Sequence, residues 1–260
     1  MSTLVPLASG VLGLLVGSFL NVVVWRVPRG ESVVSPPSAC PGCGHGIRTF
    51  DNVPILSWLL LRGRCRDCGA TISPRYPLVE LATAVLFGLT AWRLGAVWEL
   101  PAYLYLAAIA VALTLIDIDV RRLPNAIVLP SYGVAAVLLL VPAVAEGEWD
   151  AYVRALLGAV ILFAGYFALA FAYPAGMGFG DVKLAGVLGM YLGWLGWGEL
   201  ATGAFLGFLL GGVWGAGLLI AKRAGRKSAI PFGPFMLAGA LLGVFVGGAI
   251  ARAYVDLILI

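Results

Sequence analysis

Met177 to Leu200 reads MGFGDVKLAGVLGMYLGWLGWGEL. Apart from Asp181, Lys183 and Glu199 the stretch is uncharged and laced with glycine, and three alternating glycines, Gly176, Gly178 and Gly180, lead into the aspartate. A carboxylate is costly near hydrocarbon, so an ionisable group inside such a stretch is a functional residue by default. Its meaning depends on whether the surrounding chain lies in lipid.

The 260 residues are 61% hydrophobic and only 12% charged, whereas about a quarter of the residues in a soluble domain carry charge. Apolar stretches of about 20 residues, the length of a helix that crosses hydrocarbon, recur along the whole chain. The alternation of a β-barrel is absent, and helices are the other way to satisfy every backbone group in lipid. The expected fold is an all-α polytopic membrane protein of about eight transmembrane helices with a small zinc-knuckle loop domain. The expected spans are Leu4–Trp25, Pro77–Leu94, Leu100–Ile118, Ala126–Val144, Tyr152–Tyr173, Leu184–Leu200, Ala201–Ala221 and Pro231–Ala251, the sixth and seventh running together through a Gly/Trp-rich turn near Trp194 to Glu199. The first lacks a basic leader and a small-residue cleavage site, so it reads as a retained helix. The domain organisation that follows is a first helix over 1–25, a cytoplasmic four-cysteine loop over 26–76, and a seven-helix membrane domain over 77–260.

Basic residues orient such a chain, because they accumulate on the cytoplasmic side. If the loop from Arg26 to Tyr76 is cytoplasmic, that side holds Arg26, Arg29, Arg48, Arg62, Arg64, Arg66, Arg75, Arg121, Arg122, Lys183, Lys222, Arg223, Arg226 and Lys227. The other side keeps Arg93, Arg154 and Arg252, and the acidic loop with Glu146, Glu148 and Asp150 falls there as well. The net charge of +4 therefore reflects topology and calls for no nucleic acid, while the basic loops suit anionic lipid.

All four cysteines lie in that loop, as Cys40-x-x-Cys43 and Cys65-x-x-Cys68. Two such knuckles let four thiolates converge on a tetrahedral Zn2+, each turn eased by the glycine that follows it, Gly44 and Gly69. Four cysteine ligands leave no open position, so the zinc would be structural. A disulfide or redox role is the other reading, and the cytoplasmic placement counts against it. His45 is the only histidine, and a knuckle position suits it better than a ligand's. With one histidine, histidine-based hydrolase triads are not readily built.

The remaining polar residues are few. Asn21 lies in the first span, and Glu80 in the second is either a solvated edge residue, a partner of Arg75, or part of a site. Asp117 and Asp119 end the third span and Asp181 opens the sixth, so the topology set by the basic residues brings these acids to one membrane depth. Two carboxylates in one site cannot both ionise easily, which leaves one to accept a proton from water and one to polarise a peptide carbonyl. The glycines before Asp181 leave room for a substrate backbone. The plainer reading makes Asp117 or Asp119 a helix-end residue and Asp181 an N-terminal cap.

The stretches GLLVGSFLNVVVWRVP, the two cysteine knuckles, RYPLVELATA, LIDIDVRRLP, GMGFGDVKLAG and IPFGPFMLAGAL together resemble, in order and over nearly the whole chain, the bacterial prepilin peptidases, which are G-x-G-D membrane aspartic proteases. The resemblance implies cleavage of the basic leader of type IV prepilins and type II secretion pseudopilins, after a glycine, at the cytoplasmic face of the inner membrane. It implies Asp117 and Asp181 as the catalytic pair, with Asp119, Glu80, Gly178, Gly180 and Lys183 in support. It also implies a second activity, N-methylation of the new N-terminus with S-adenosylmethionine. No strand and glycine-rich turn of a nucleotide-binding fold is readable, so the residues assign no binding site to that molecule. Many relatives read Leu-Pro-Asp where this chain has Leu123, Pro124 and Asn125.

Two other classes compete. A proton-coupled transporter would use membrane carboxylates as a relay, but near the midplane and between inverted repeats, which are not seen here. A membrane scaffold that binds partners through the zinc loop would leave the acids and the glycine run without a purpose.

Overall fold

The computed structural model describes residues 3–174, 176–221 and 230–259. Lys222, Arg223, Arg226 and Lys227, counted above on the cytoplasmic side, lie outside the described residues. The chain divides into two compact units, Met1–Leu100 with Ala107–Ala112, and Pro101–Leu106 with Leu113–Ile260.

In the first unit, helix α1 (Leu4–Arg26) lies against α3 (Arg75–Leu94), with the loop and the short helix α2 (Leu56–Leu60) between them in sequence. The seam is made by glycine. A Cβ on Gly13 would sit 2.7 Å from Ala84 Cα, and one on Gly17 would sit 2.7 Å from Glu80 Cα. Helices in lipid gain little from burying apolar side chains against each other, so close backbone approach at small residues takes over that role. Asn21 Nδ2 adds a polar link by donating to the Tyr76 carbonyl at 3.3 Å.

Helix α4 (Leu100–Val120) contributes residues to both units. The second unit continues with α5 (Asn125–Glu146), α6 (Trp149–Ala172), α7 (Phe179–Leu195), α8 (Trp197–Ile220), α9 (Gly233–Leu242) and α10 (Gly248–Leu259), a π-helical turn at Gly243–Gly247 joining the last two. Helix α7 is its hub. Every residue from Leu184 to Trp194 is buried, which is what a helix apolar on all sides requires. Gly158 of α6 and Gly189 of α7 meet backbone to backbone. At the far end Arg154 donates from Nε to the Gly193 carbonyl and from an Nη to the Trp194 carbonyl, both at 2.7 Å. A cation thus satisfies the carbonyls that the last turn leaves open.

Seven helices among the described residues are long and apolar enough to cross a membrane. Helix α7 is not one of them. Its 17 residues span about 25 Å, less than the ~30 Å of hydrocarbon. The expected spans Leu184–Leu200 and Ala201–Ala221 are corrected here, because the chain breaks at Gly196, between Leu195 and Trp197. The break falls inside the Gly/Trp-rich turn over Trp194 to Glu199 at which the two expected spans meet. The readable signal was Glu199, an acid in the first turn of α8, where the helix dipole favours one.

Candidate functional site

The cysteine loop is built from two copies of one turn. Gly44 N–H donates to the Cys40 carbonyl at 2.8 Å and Cys40 N–H to the His45 carbonyl at 2.9 Å; Gly69 and Cys65 repeat this with Cys65 and Ala70, at 3.0 and 2.8 Å. Gly44 has φ +73° and Gly69 φ +71°, the left-handed region where a side chain is strained. His45 therefore contributes its backbone to the turn.

The four sulfurs all lie within 4.8 Å of one another, and Cys40 Sγ stands 3.8 Å from Cys68 Sγ. Tetrahedral zinc with bonds of about 2.3 Å needs sulfurs ~3.8 Å apart, so the cluster fits a metal ion. The Gly42 and Cys43 N–H groups draw the Cys40 thiol down to about 7. Cys68 goes the other way: against the pull of the Ala70 N–H, burial and the neighbouring sulfurs push it up to about 12. Four thiolates crowded together need a cation among them, which is what a metal supplies. Around the cluster, Arg66 grips Asp51 with two donors, at 2.7 and 2.9 Å, and Arg48 reaches Asp67 at 2.8 Å. Trp58 Nε1–H donates to the Ile72 carbonyl at 3.1 Å.

Asp117 and Asp119 stand at the end of α4 and Asp181 at the start of α7, and the start of α9 adds a backbone donor. Asp117 and Asp119 are two residues apart on α4 and so point to opposite sides; Asp117 is buried and Asp119 exposed. Asp117 Oδ2 accepts the Gly233 N–H, the first of α9, at 3.1 Å. Asp181 sits at the third position of α7 and accepts the Gly178 N–H at 3.2 Å, so the capping role raised from the sequence is real. It is not the whole of it, because Asp181 also lies within the field of the Asp117 charge.

Leu123 fills the space between these ends. A Cβ on Gly180 would lie 3.2 Å from Leu123 Cβ, and one on Gly233 would lie 3.2 Å from Leu123 Cδ2 and 2.8 Å from Asp117 Oδ2. Glycine at 180 and 233 is what lets three chain segments close around the carboxylates. Arg121, with φ +52°, turns the chain out of α4 and towards α5. Lys183 Nζ donates to Asn125 Oδ1 at 3.0 Å and rests 4.8 Å from the Phe179 ring centre. Tyr166 also feels the Asp181 charge, and it packs on Phe208 and Phe232 at centroid distances of 5.1 and 6.5 Å.

The site residues expected from the sequence thus fall into three places. Asp117, Asp181, Gly178, Gly180 and Lys183 belong to one neighbourhood, Asp119 is exposed two residues beyond Asp117, and the four cysteines form the loop cluster. Glu80 belongs to the first unit, where its Oε2 accepts the Ile55 N–H at 2.7 Å. Sequence reasoning passed over Gly233, Leu123 and Tyr166 as site residues. Of these only Gly233 had a signal, a Gly-Pro pair opening an apolar run, which marks a helix start.

The profile of the bacterial peptidase A24 N-terminal domain matches residues 11–94, and that of the type IV leader peptidase family matches residues 104–220. Among curated proteins, the prepilin leader peptidase/N-methyltransferase of Aeromonas salmonicida (strain A449) is 37% identical over 95% of this chain and 92% of its own. The protein of that name from Pseudomonas aeruginosa is 37% identical over 94% and 91%, and that from Neisseria gonorrhoeae 40% identical over 88% and 86%. No solved structure matches.

Proposed function

The chain belongs to the type IV leader peptidase family, and from that premise we propose that Asp117 and Asp181 are its catalytic dyad. It is a membrane enzyme, a prepilin leader peptidase and N-methyltransferase like its relatives. The observation that carries the dyad is the single neighbourhood formed by the ends of α4, α7 and α9, in which Leu123 packs beside both Gly180 and Gly233 and the Gly233 N–H binds buried Asp117.

The mechanism follows from two acids sharing one proton. The ionised carboxylate takes a proton from a water molecule, and the oxygen of that water adds to the scissile carbonyl. The protonated carboxyl donates a hydrogen bond to the carbonyl oxygen and stabilises the charge that grows there. Collapse breaks the C–N bond, and the proton first taken from water passes to the leaving amine. Gly233 N–H fixes one carboxylate, and glycine at 180 lets Leu123 pack against the start of α7 beside the other. Lys183 and Gly178 support the start of α7 through Asn125 and through the cap on Asp181.

The substrates are type IV prepilins and, in the wider reading, type II secretion pseudopilins, cleaved after the glycine that ends a basic leader. The excess of basic residues over the loop from Arg26 to Tyr76 supports a cytoplasmic position for the loop and for both aspartates, in the bacterial inner membrane. Cys40, Cys43, Cys65 and Cys68 hold a structural zinc ion that fastens the loop. S-adenosylmethionine supplies the methyl group of the second reaction; the described residues contain no nucleotide-binding turn, and none is assigned to it.

The test is mass spectrometry of a purified prepilin incubated with the purified enzyme. Loss of the leader by the parent chain, and none by Asp117→Asn or Asp181→Asn proteins that insert normally, is the expected result. A gain of one methyl group on the product, only when S-adenosylmethionine is present, supports the second activity. Leader loss by either asparagine variant at the parent rate would overturn the dyad.

A further inference from the structure

The cysteine loop carries an apolar face that its own turns leave uncovered. On α2, Leu56, Leu59 and Leu60 are exposed, Leu60 by 83%, and their spacing puts all three on one side of the helix. The other side is closed. Ser57 is buried and donates to the Phe50 carbonyl at 2.9 Å, and the Trp58 ring, whose N–H is taken by Ile72, lies against Gly63. A group of exposed apolar side chains rimmed by polar ones marks a contact with protein or with membrane.

Two observations favour the membrane, and the first is depth. Ile55 N–H, at the entry to α2, donates to Glu80 Oε2 at 2.7 Å, and Glu80 is buried on α3. Helix α3 is long and apolar enough to cross a membrane. Glu80 stands five residues inside its first residue, Arg75, about 7.5 Å along the axis. On α1 the residue packed against Glu80 is Gly17, nine residues short of Arg26 and so about 13 Å from that end. Arg75 and Arg26, basic residues at the ends of their spans, mark the headgroup level. Helix α2 therefore enters roughly 10 Å below that level, a depth that helices lying in the interface reach.

The second observation is charge. Asp51 and Asp67, the aspartates of the loop, pair with Arg66 and Arg48. Arg62 and Arg64 follow directly on α2 and are exposed, and among the described residues no carboxylate pairs with either. Leucines on one side and unpaired arginines at the end are what an anionic lipid surface binds.

We infer that α2 lies in the bilayer interface, with Leu56, Leu59 and Leu60 among the upper acyl chains and Arg62 and Arg64 on the phosphates of anionic phospholipid. Cys65 comes five residues after Leu60, so the same contact keeps the cysteine cluster close to the membrane surface. This anchorage is independent of the aspartate dyad.

The experiment replaces Leu59, Leu60 or His45, one at a time, by the photo-crosslinker p-benzoylphenylalanine in the whole chain, placed in nanodiscs of phosphatidylcholine and phosphatidylglycerol. His45 is an exposed residue of a cysteine turn and serves as the control. After illumination, mass spectrometry should find lipid adducts at positions 59 and 60 and none at 45. Phosphatidylglycerol should exceed its share of the lipid by about fivefold or more among those adducts, the preference that one basic residue near an anionic surface gives. That excess should vanish in the Arg62→Gln, Arg64→Gln double variant. Lipid capture at 59 and 60 no greater than at 45, or capture there of a second protein chain in place of lipid, overturns the inference. An excess of phosphatidylglycerol that persists in the double variant overturns the contact assigned to the arginines.

Discussion

The cysteine loop and the aspartate neighbourhood are held by opposite strategies. The loop closes on itself within 30 residues: two copies of one turn, four sulfurs within 4.8 Å, and ion pairs at its surface. The aspartate neighbourhood has no local closure. It is assembled from Asp117 at the end of α4, Leu123 just after it, and Asp181 and Gly233 at the starts of α7 and α9, far apart in sequence, and held by backbone N–H donors and by glycines that admit a neighbouring chain. A local site depends on its metal and its turns. An assembled site depends on how closely helices approach.

The largest effect that this contrast predicts is in the assembled site. Asp117→Asn or Asp181→Asn should lower prepilin cleavage by at least about 100-fold, the usual scale for lost acid–base catalysis, with insertion unchanged. Gly233→Ala comes next. Its methyl group would enter within 2.8 Å of Asp117 Oδ2 and 3.2 Å of Leu123, so kcat should fall about tenfold, ~1.4 kcal/mol, while the thermal midpoint moves little. Parent-like turnover in that variant would mean that the helix ends do not set the dyad.

Effects on the loop should be smaller for cleavage and larger for local order. Chelation, or the double change Cys40→Ser and Cys43→Ser, should release one zinc per chain and open the loop to protease. Cleavage should fall by less than in either aspartate variant. If zinc loss abolished cleavage as fully as Asp181→Asn, the two regions would not be separable in the way drawn here.

The smallest effect concerns Asp51, whose hydrogen bonds to Arg66, with the charge of that guanidinium, hold its carboxyl below the ordinary 3.8. A lowered value in the folded loop means that the link stabilises fully above pH 3.8 and is lost as pH falls through the lowered value. Carboxyl carbon titration should find Asp51 below 3.8 in the parent and back near it in Arg66→Gln. The pair is exposed, so proteolysis at neutral pH should barely differ. Identical titrations in both proteins would remove the ion pair from the account of the loop.

The same contrast explains what could be read from the sequence. The loop was legible because its information is local: Cys40, Cys43, Cys65 and Cys68 have metal-ligand spacing, and Gly44 and Gly69 stand where the turns need them. Asp117 and Asp181 were legible only through topology, since the basic residues alone placed both acids at one depth. Choosing Asp117 over Asp119 took the resemblance; the structure adds that Asp117 is buried and Asp119 exposed. Leu123 and Tyr166 carried no signal, because an apolar or aromatic residue in a membrane chain looks the same whether it meets lipid or a carboxylate. The break at Gly196 lies in the Gly/Trp-rich turn that the sequence shows, but the shortness of α7 was hidden for a related reason. Hydropathy records what a residue is, and α7 is buried by other helices where lipid was expected.

The central claim is that Asp117 and Asp181 act as one unit. The most direct measurement compares initial rates of prepilin cleavage by the parent, by Asp117→Asn, by Asp181→Asn and by the double variant, at matched amounts of inserted enzyme. Groups that share one proton fail together, so each single variant should be as slow as the double. If the two losses add, or if one single variant keeps a substantial part of the parent rate, the aspartates work separately and the dyad is wrong.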